Sequence, residues 1–399
     1  MKKIIVLILV LVTCTAVLTA CGETQQEPVP AVTELEPSPS ETPAPTPTPT
    51  PVPVFSILGA EYDYYSESVD LAEITPEEVP EVAETLSQLP FVSTVNLMRN
   101  DGTCALTAEE AAPLLPAALE AEFECAFDLY GTVATNKTEE LRYERLNLDS
   151  DGIDVFRTAL PFLKALKMLR LGDSQLDNDA MDALRADFPE KNIIWSVYFV
   201  NHFWMTDTTL INSTQINDSN IDNLKYMHDV LYLDFGHDRF LTSLDFVRYF
   251  PKLQVIIFSI TTISDISPLA DCPELEFVEG FSTRISDLSP LAGLTKLEYL
   301  NVGDNDNLYD VSPLYGLSTL KKIRICGMNA IPPEQLEQLR EELPDCDVST
   351  VGGHSANSGG WRYNDDGSIN DRYALLREQM EYDKAWDVRQ SNSPSALEG

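Results

Sequence analysis

The sequence predicts an α/β solenoid, in which short strands stack into one parallel sheet and short helices or turns return the chain behind it. Two tandem patterns support this prediction. A block of eight residues recurs three times at steps of 22 and 23 residues, and a Leu-x-x-apolar-x-apolar pattern recurs between the blocks. Each unit is too small to bury its own apolar face, so stacked neighbours have to bury it jointly.

The eight-residue blocks are the predicted return strokes of the solenoid. They occupy residues 263–270, 285–292 and 308–315, and each has an Asp followed two residues later by Ser-Pro-Leu. Ser is a preferred N-cap and Pro is favoured at the first helical position. We therefore expect a short helix to begin at each Ser-Pro, with Ser as its cap.

The Leu-x-x-apolar-x-apolar patterns are the predicted strands, and they start at Leu253, Leu275, Leu297 and Leu320. Alternation along a strand directs Leu300 and Val302 into the core and the residues between them outward.

Weaker strand patterns with longer spacing occur upstream, at residues 95–97, 146–148, 169–171 and 231–233. A last strand is expected at 346–348. Helical patterns at 106–121, with Thr107 as N-cap, and at 177–188 separate some of them. The solenoid is therefore predicted to run from about residue 56 to 350, with an irregular joint around 195–225.

The repeated blocks resemble internalin-type leucine-rich repeats, whose units carry Ile-x-Asp-Ile-Ser-Pro-Leu. Residues 56–385 also resemble leucine-rich-repeat lipoproteins of Firmicutes, through a strand at 193–197, the stretch Thr206-Asp-Thr-Thr, and Gly360-Trp-Arg followed by Tyr373 and Arg377. The resemblance implies a leucine-rich-repeat horseshoe, with a parallel β-sheet on the concave face and short helices or 3-10 turns on the convex side. It also implies that Asn305, which lies where leucine-rich repeats keep an Asn, holds the backbone of its turn. It implies little about function, because what binds to a solenoid varies freely.

The first twenty residues have the pattern of a secretory signal peptide. Lys2 and Lys3 precede an apolar run that starts at Ile4, and small residues precede Cys21. The tetrad ending in Cys21 resembles the lipobox of bacterial lipoproteins, which implies that Cys21 carries a lipid. The alternative is an ordinary signal peptide cut nearby, with Cys21 as a free thiol.

Prolines recur at nearly every second position in the segment that follows, which predicts an extended polyproline spacer. The predicted organisation is a signal peptide at 1–20, a lipidated linker at 21–54, an irregular repeat region at 55–220, regular repeats at 221–350, and a C-terminal capping helix with its tail at 351–399. The expected location is the extracellular side of the cytoplasmic membrane, anchored by the lipid.

Composition excludes some partners. The whole chain has a formal charge of −37, and removing residues 1–20 would leave 25 basic residues against 64 acidic ones. Such a chain is not expected to bind nucleic acid, since binding to phosphates requires basic side chains. Five cysteines remain after Cys21, an odd and sparse number that predicts mostly buried thiols and no disulfide scaffold.

Outward strand positions are expected to form three columns on the concave face. The first contains Val230, Val255, Phe277, Tyr299 and Lys322; the second Tyr232, Ile257, Glu279, Asn301 and Arg324; the third Asp234, Ser259, Phe281, Gly303 and Cys326. The predicted ligand-binding residues are Tyr232, Val255, Ile257, Phe277, Glu279, Phe281, Tyr299, Asn301 and Arg324. Alternatively the chain covers this patch itself or caps the end of the solenoid, because the segment 361–386 carries the apolar residues Trp361, Tyr363, Tyr373, Leu376 and Met380.

No catalytic or metal site is predicted, and no cofactor. The four histidines lack metalloprotease spacing, and the acidic loop at 147–152 has Thr158 where a calcium loop needs a Glu. Three function classes remain: a surface module that binds an extracellular protein or glycan, an envelope scaffold acting through self-association, and, least favoured, a hydrolase.

Overall fold

Short alternating segments form the strands, as the pattern predicts, and their inward side chains join one long core. The computed structural model describes residues 51–200, 202–327, 330–352 and 355–384. The predicted signal peptide, Cys21 and the linker up to residue 50 lie outside the described residues. Among the described helices, none is both long and apolar enough to cross a membrane.

The N-terminal half, residues 54–205, contains several small sheets. Its strands are β1 (Val54–Ile57), β2 (Ala60–Asp63), β3 (Ser68–Asp70), β4 (Thr94–Asn96), β5 (Glu122–Glu124), β6 (Ala126–Leu129), β7 (Thr132–Thr135), β8 (Glu140–Glu144), β9 (Met168–Gly172), β10 (Asn192–Phe199) and β11 (His202–Met205). Strands β3-β4-β5 and β8-β9-β10 are parallel, whereas β1–β2, β6–β7 and β10–β11 are antiparallel pairs.

Helices return the chain in this half: α1 (Val79–Leu86), α2 (Ala108–Ala111), α3 (Ser150–Ala159) and α4 (Asn178–Asp187). Three of them have side-chain N-caps, namely Thr107, Asp149 and Asp177. The predicted helix at 106–121 is only one α-turn, followed by a 3-10 helix at Ala112–Ala117. Proline inside that stretch lacks the N–H that a longer α-helix would use.

The C-terminal half, residues 210–349, forms one seven-stranded parallel sheet. Its strands are β12 (Leu210–Asn212), β13 (Tyr232–Asp234), β14 (Val255–Ile257), β15 (Phe277–Glu279), β16 (Tyr299–Asn301), β17 (Lys322–Arg324) and β18 (Asp347–Ser349). The middle residue of each strand pairs with the middle residue of the next, as Val278 does with Leu300. The leucine-rich-repeat solenoid predicted from the periodicity is confirmed.

The convex side of this half consists of 3-10 helices at Asp222–Tyr226, Asp245–Tyr249, Ser267–Asp271, Ser289–Leu291 and Ser312–Leu314. Ser is not their cap, contrary to the prediction. At Ser289 the preceding Asp287 carboxylate accepts the Ser289 N–H at 2.8 Å, and the Asp265–Ser267 and Asp310–Ser312 pairs repeat this geometry. An Asp turn therefore starts the last three of these 3-10 helices, and Ser is the first residue of each.

One predicted upstream strand is wrong. Residues 146–148 make only an isolated bridge, Leu148 to Leu176, and the strand of that repeat is β8. Leu141 and Tyr143 are its inward residues, while Leu146 and Leu148 are half-buried in the turn before α3. A turn that packs on the core needs apolar residues as much as a strand does.

Asn305 has the role expected of it. It is fully buried, and its amide nitrogen donates to the carbonyl oxygens of Gly280, Val302 and Gly303. Its amide oxygen accepts from the Thr283 hydroxyl and the Ile285 N–H. One side chain thus ties two successive turns together.

The chain then forms α5 (Pro333–Glu342), β18, and α6 (Asp371–Gln379). The part that contains α6, residues 355–384, is called the C-terminal segment below. It packs on the outer face of the seven-stranded sheet, opposite the main core.

Candidate functional site

The nine predicted ligand-binding residues lie together on the outer, concave face of the seven-stranded sheet. Strand pairing aligns Val255, Phe277 and Tyr299 in one column. Ile257, Glu279, Asn301 and Arg324 form the next column. Phe281 follows Glu279 by two residues.

Tyr232 belongs to a different column from the one predicted. It pairs with Val255, and Asp234 pairs with Ile257, so the first predicted repeat was placed two residues out of register. The reason is Val230, which is fully buried in the main core and occupies the position where the other repeats have their leading Leu.

The concave face is covered by the chain itself, as the alternative interpretation of the sequence expected. Seven of the nine predicted residues are at most 3% exposed: Val255, Ile257, Phe277, Glu279, Phe281, Asn301 and Arg324. Tyr232 and Tyr299 are half-buried. The covering element is the C-terminal segment, whose apolar side chains form a second core with the sheet.

Helix α6 supplies most of the apolar contact. Asn370 caps it by accepting the Tyr373 N–H at 2.8 Å, and its amide nitrogen donates to the Trp361 carbonyl oxygen at 2.7 Å. This fixes the helix to the preceding turn. Tyr373, Leu376 and Met380, one helical face, are then buried against the sheet.

Trp361 anchors the segment at the centre of the patch. Its ring lies 5.3 Å from the Phe277 ring, centroid to centroid, and its indole N–H donates to the Glu279 carboxylate. Two glycines with left-handed backbones lead into it, Gly359 (φ 64°) and Gly360 (φ 70°). A Cβ on Gly359 would collide with the Val351 carbonyl oxygen, so this turn requires glycine.

Glu279 is the polar centre of the interface. Its carboxylate is fully buried and accepts from Arg362 at 2.7 Å, from Trp361, and from the Ser259 hydroxyl at 3.2 Å. A buried carboxylate requires such partners, because its desolvation is otherwise uncompensated. The pairing of Glu279 with Arg362 therefore orients the C-terminal segment as well as holding it.

Two further polar contacts flank this centre. On one side the Arg324 guanidinium donates to the Ser355 carbonyl oxygen at 2.9 Å and to the Ser358 hydroxyl at 3.2 Å. On the other, the Tyr382 hydroxyl donates to Asp234, whose carboxylate also accepts the Gly236 N–H. Burial under the segment raises the pKa of Asp234, and burial likewise raises the pKa of Tyr382.

Sequence reasoning missed the polar half of this interface. Glu279 and Arg324 were named as ligand contacts, but Arg362 and Tyr382 were not named as their counterparts or neighbours. Trp361 and Glu279 are 82 positions apart. The available signal was Glu279 itself, because an acid that is buried beside an aromatic column demands a cation or donor from elsewhere.

The described residues offer little for catalysis. No group of three or more His, Cys, Asp or Glu side chains among them could hold a metal ion. In the acidic loop, Asp149 instead caps α3 by accepting the Gly152 N–H, and Asn147 accepts the Gln175 N–H. Burial raises the pKa of the Cys125 and Cys272 thiols to about 12, which makes them poor nucleophiles.

No family model and no curated protein matches the chain. Solved structures with a similar fold include an internalin (InlF) of Listeria monocytogenes, at 20% identity over 67% of this chain and 76% of that one, with a TM-score of 0.35. A leucine-rich-repeat protein of Leptospira interrogans has 16% identity over 66% and 74%, with a TM-score of 0.34. Internalin C2 of L. monocytogenes has 20% identity over 72% and 93%, with a TM-score of 0.28. Likenesses this weak say nothing about partners or activity.

Proposed function

We propose that this chain is a non-catalytic binding module that recognises a protein or glycan outside the cell. The observation that carries the proposal is the concave face itself, which holds a polypeptide segment through side-chain contacts. An apolar and aromatic patch with a buried, fully partnered charge has the composition of a recognition surface.

The contacts of the C-terminal segment define what an external partner would have to supply. It would need an aromatic group against Phe277, an N–H donor and a cation at Glu279, and acceptors at Arg324. A partner that lacked the cation would leave Glu279 buried and unpaired, at a cost of several kcal/mol. The face is therefore selective in charge as well as shape.

The proposed location rests on the sequence before residue 55. A signal peptide at 1–20, lipid on Cys21 and a proline-rich spacer to residue 54 would place residues 55–350 outside the cell at some distance from the membrane. The strong negative charge suits an exposed extracellular surface and disfavours nucleic-acid ligands.

The test supplies the concave face and the C-terminal segment as two separate molecules. A chain spanning residues 55–352 is titrated with a synthetic peptide of residues 353–384, and binding is followed by calorimetry. We expect saturable binding that weakens at least about tenfold when the peptide carries Trp361→Ala, since a central buried aromatic is a typical hot spot. A peptide with Arg377→Ala is the matched control, because Arg377 pairs with Asp383 within the segment.

Two outcomes of that titration are decisive. Binding that depends on Trp361 supports a recognition face that can exchange its occupant. If the 55–352 chain melts cooperatively but binds none of the peptides, the concave face is not a recognition surface and the proposal fails. Increased binding of an apolar dye by the 55–352 chain would show independently that truncation uncovers the patch.

A further inference from the structure

A groove with a volume of about 980 Å³ lies in the N-terminal half of the solenoid. Its walls include residues 102–109, strand β6 and helix α3. None of its lining residues belongs to the seven-stranded sheet, so the groove is separate from the face that the C-terminal segment covers. Pockets that take drug-sized ligands measure roughly 300–1,000 Å³, so this groove has room for several side chains of a partner.

The groove exposes aliphatic side chains to solvent. Val133 of β7 is 62% exposed, Val155 of α3 is 38% exposed, and Ala105 is half-buried. Phe127 and Leu129 also line the groove, but they are buried and belong to the main core. The core therefore supports the groove from behind, and a partner that covered the exposed valines would remove apolar surface from water.

Carboxylates surround these aliphatic side chains. The charged residues that line the groove are Glu109, Asp128, Asp151, Asp154 and Arg157. Arg157 is already neutralised, because it pairs with Asp154 at 2.9 Å and also with Asp187. No basic side chain of the described residues lies within ion-pair distance of the other three carboxylates. The rim of the groove therefore has three negative charges that a cationic partner could compensate.

Acidity alone does not distinguish this groove, because the whole chain has a formal charge of −37. What distinguishes it is that exposed aliphatic groups and uncompensated carboxylates share one concave surface. A ligand that matches both needs apolar and cationic groups side by side, as a polypeptide segment rich in Lys or Arg and aliphatic residues has them.

A free strand edge also favours a polypeptide. Four residues of β6 line the groove, and within the described part of the chain β6 pairs only with β7. The N–H of Ala126 in β6 donates to the Cys104 sulfur at 3.0 Å rather than to another strand, and Cys104 lines the groove as well. Unpaired strand edges bind extended peptides through main-chain hydrogen bonds.

We propose that this groove binds an extended cationic segment of a partner protein. Aliphatic side chains of the segment would cover Val133 and Val155, and its Lys or Arg side chains would reach Glu109, Asp128 and Asp151 at the rim. The inference goes beyond the proposed recognition by the concave face, because it assigns a second site, in the other half of the solenoid, with a different ligand chemistry.

The experiment measures binding of labelled peptides to residues 22–399 by fluorescence anisotropy. The probe is a six-residue peptide of alternating Lys and Leu, and its counterparts replace every Leu by Ser or every Lys by Glu. Salt at about 0.15 M screens long-range attraction to the acidic chain. Glu109→Gln combined with Asp151→Asn removes two rim charges, and Glu337→Gln combined with Glu341→Gln is the matched control. These two glutamates are exposed in α5, outside the groove.

We expect the Lys-Leu peptide to bind saturably to the unsubstituted chain and to the α5 control alike. Removing the two rim charges should weaken binding roughly tenfold, because two ion pairs with the peptide are lost. Val155→Lys should weaken it at least as much, since it places a cation on the apolar wall. Leu119→Lys adds the same charge at an exposed leucine outside the groove and should have little effect.

Two results would overturn the proposal. Equal weakening in the rim variant and the α5 control would mean that the peptide binds the acidic surface in general. Equal affinity for the Lys-Leu and Lys-Ser peptides would mean that the aliphatic wall takes no part. The comparison of peptides uses the unsubstituted chain, so it decides the question even if a variant fails to fold. Neither result affects the concave face, which is tested separately with the peptide of residues 353–384.

Discussion

The two halves of the solenoid use the same strand but return the chain in different ways. In the C-terminal half the middle strand residues Val278, Leu300 and Ile323 follow one another at 22 and 23 residues. In the N-terminal half, the steps from Val69 to Val95 and on to Phe123 take 26 and 28 residues. The longer repeats return through α-helices such as α1, the shorter ones through 3-10 helices of three to five residues.

The difference shows what sets the regularity of the sheet. A short 3-10 return leaves room for little besides the repeat, so β12 to β17 pair without interruption, and β18 joins them after the one helical return, α5. The longer returns admit insertions, and the hairpin β6–β7 separates β5 from β8. Both halves nevertheless share one core, which runs without a break from Ile57 to Leu343.

The largest effect is expected from a cavity in that shared core. Leu169 in β9 and Leu300 in β16 are both fully buried, inward-facing strand residues. Replacing either by Ala should lower the free energy of unfolding by about 2–5 kcal/mol. Because the core is continuous, both should shift a single urea transition, measured by far-ultraviolet circular dichroism.

The prediction of a single transition would be wrong if the two halves unfolded separately. In that case Leu169→Ala would shift only the transition reported by Trp195 and Trp204 fluorescence, and Leu300→Ala would leave that transition in place. Leu119→Ala is the control, since this leucine is 74% exposed and its loss should change little.

The next largest effect concerns the C-terminal segment, which packs on the sheet of the C-terminal half. Glu279→Ala leaves Arg362 near the sheet without its carboxylate and removes the acceptor for Trp361. We expect a loss of roughly 3 kcal/mol, because removing one member of a buried ion pair leaves the other uncompensated. Hydrogen exchange of residues 361–380 should accelerate, while that of β9 and β10 stays unchanged.

Glu298→Ala provides the control for this change, since Glu298 pairs with Lys321 near the same segment but is partly exposed. An equal acceleration of exchange in both variants would mean that Glu279 has no special part in holding the C-terminal segment. If residues 361–380 exchanged as slowly in Glu279→Ala as in the unsubstituted chain, the Glu279–Arg362 pair would not hold the C-terminal segment.

A smaller loss of stability is expected from the turns that follow the strands, and it should differ between the two halves. Asn305 binds two successive turns in the C-terminal half, whereas Ser174 stands at the same place after β9 and makes fewer bonds. Asn305→Ala should cost about 1–3 kcal/mol, because several buried backbone groups lose their partner. Ser174→Ala should cost less, and the reverse order in thermal unfolding would contradict this account of the turns.

Periodicity explains what the sequence could predict. From Leu253 to Ile325 the repeats keep their apolar positions, so strands and columns follow from alternation alone, whereas the role of Asn305 followed from the resemblance to leucine-rich repeats. The predicted register is wrong where another apolar residue takes the place of the leading Leu of a repeat. Val230 does so, and the prediction therefore placed Tyr232 in the wrong column. Leucines in a turn, as at 146 and 148, look the same as leucines in a strand.

The rest depends on contacts between distant parts of the chain. Nothing local to Glu279 specifies that Trp361 and Arg362 will cover it, because the contact follows from how the segment after β18 turns at Gly359 and Gly360. The patch could therefore be predicted from columns of side chains, and covering by the segment could be weighed as an alternative.

The smallest loss of stability is expected from the residues at the N-termini of the helices. In the N-terminal half Thr107 forms a capping box with Glu110, so Thr107→Ala should cost about 1 kcal/mol. In the C-terminal half Asp287→Ala should cost less, because Asp287 only accepts from Ser289, whereas the Thr107 and Glu110 side chains each accept the other residue's backbone N–H. Asp287→Asn is the control, as its amide oxygen can still accept the Ser289 N–H.

Low pH should weaken the turn that Asp287 forms before its 3-10 helix. Hydrogen bonds from the Ser289 hydroxyl and N–H lower the pKa of Asp287 below its usual 3.8. Its contribution to stability is therefore complete above pH 3.8 and is lost as the pH falls through the lowered value. The difference in unfolding free energy between Asp287→Ala and the unsubstituted chain should shrink below about pH 4. A constant difference for Asp287→Ala down to pH 2 would mean that the Asp turn does not stabilise the 3-10 start through its charge.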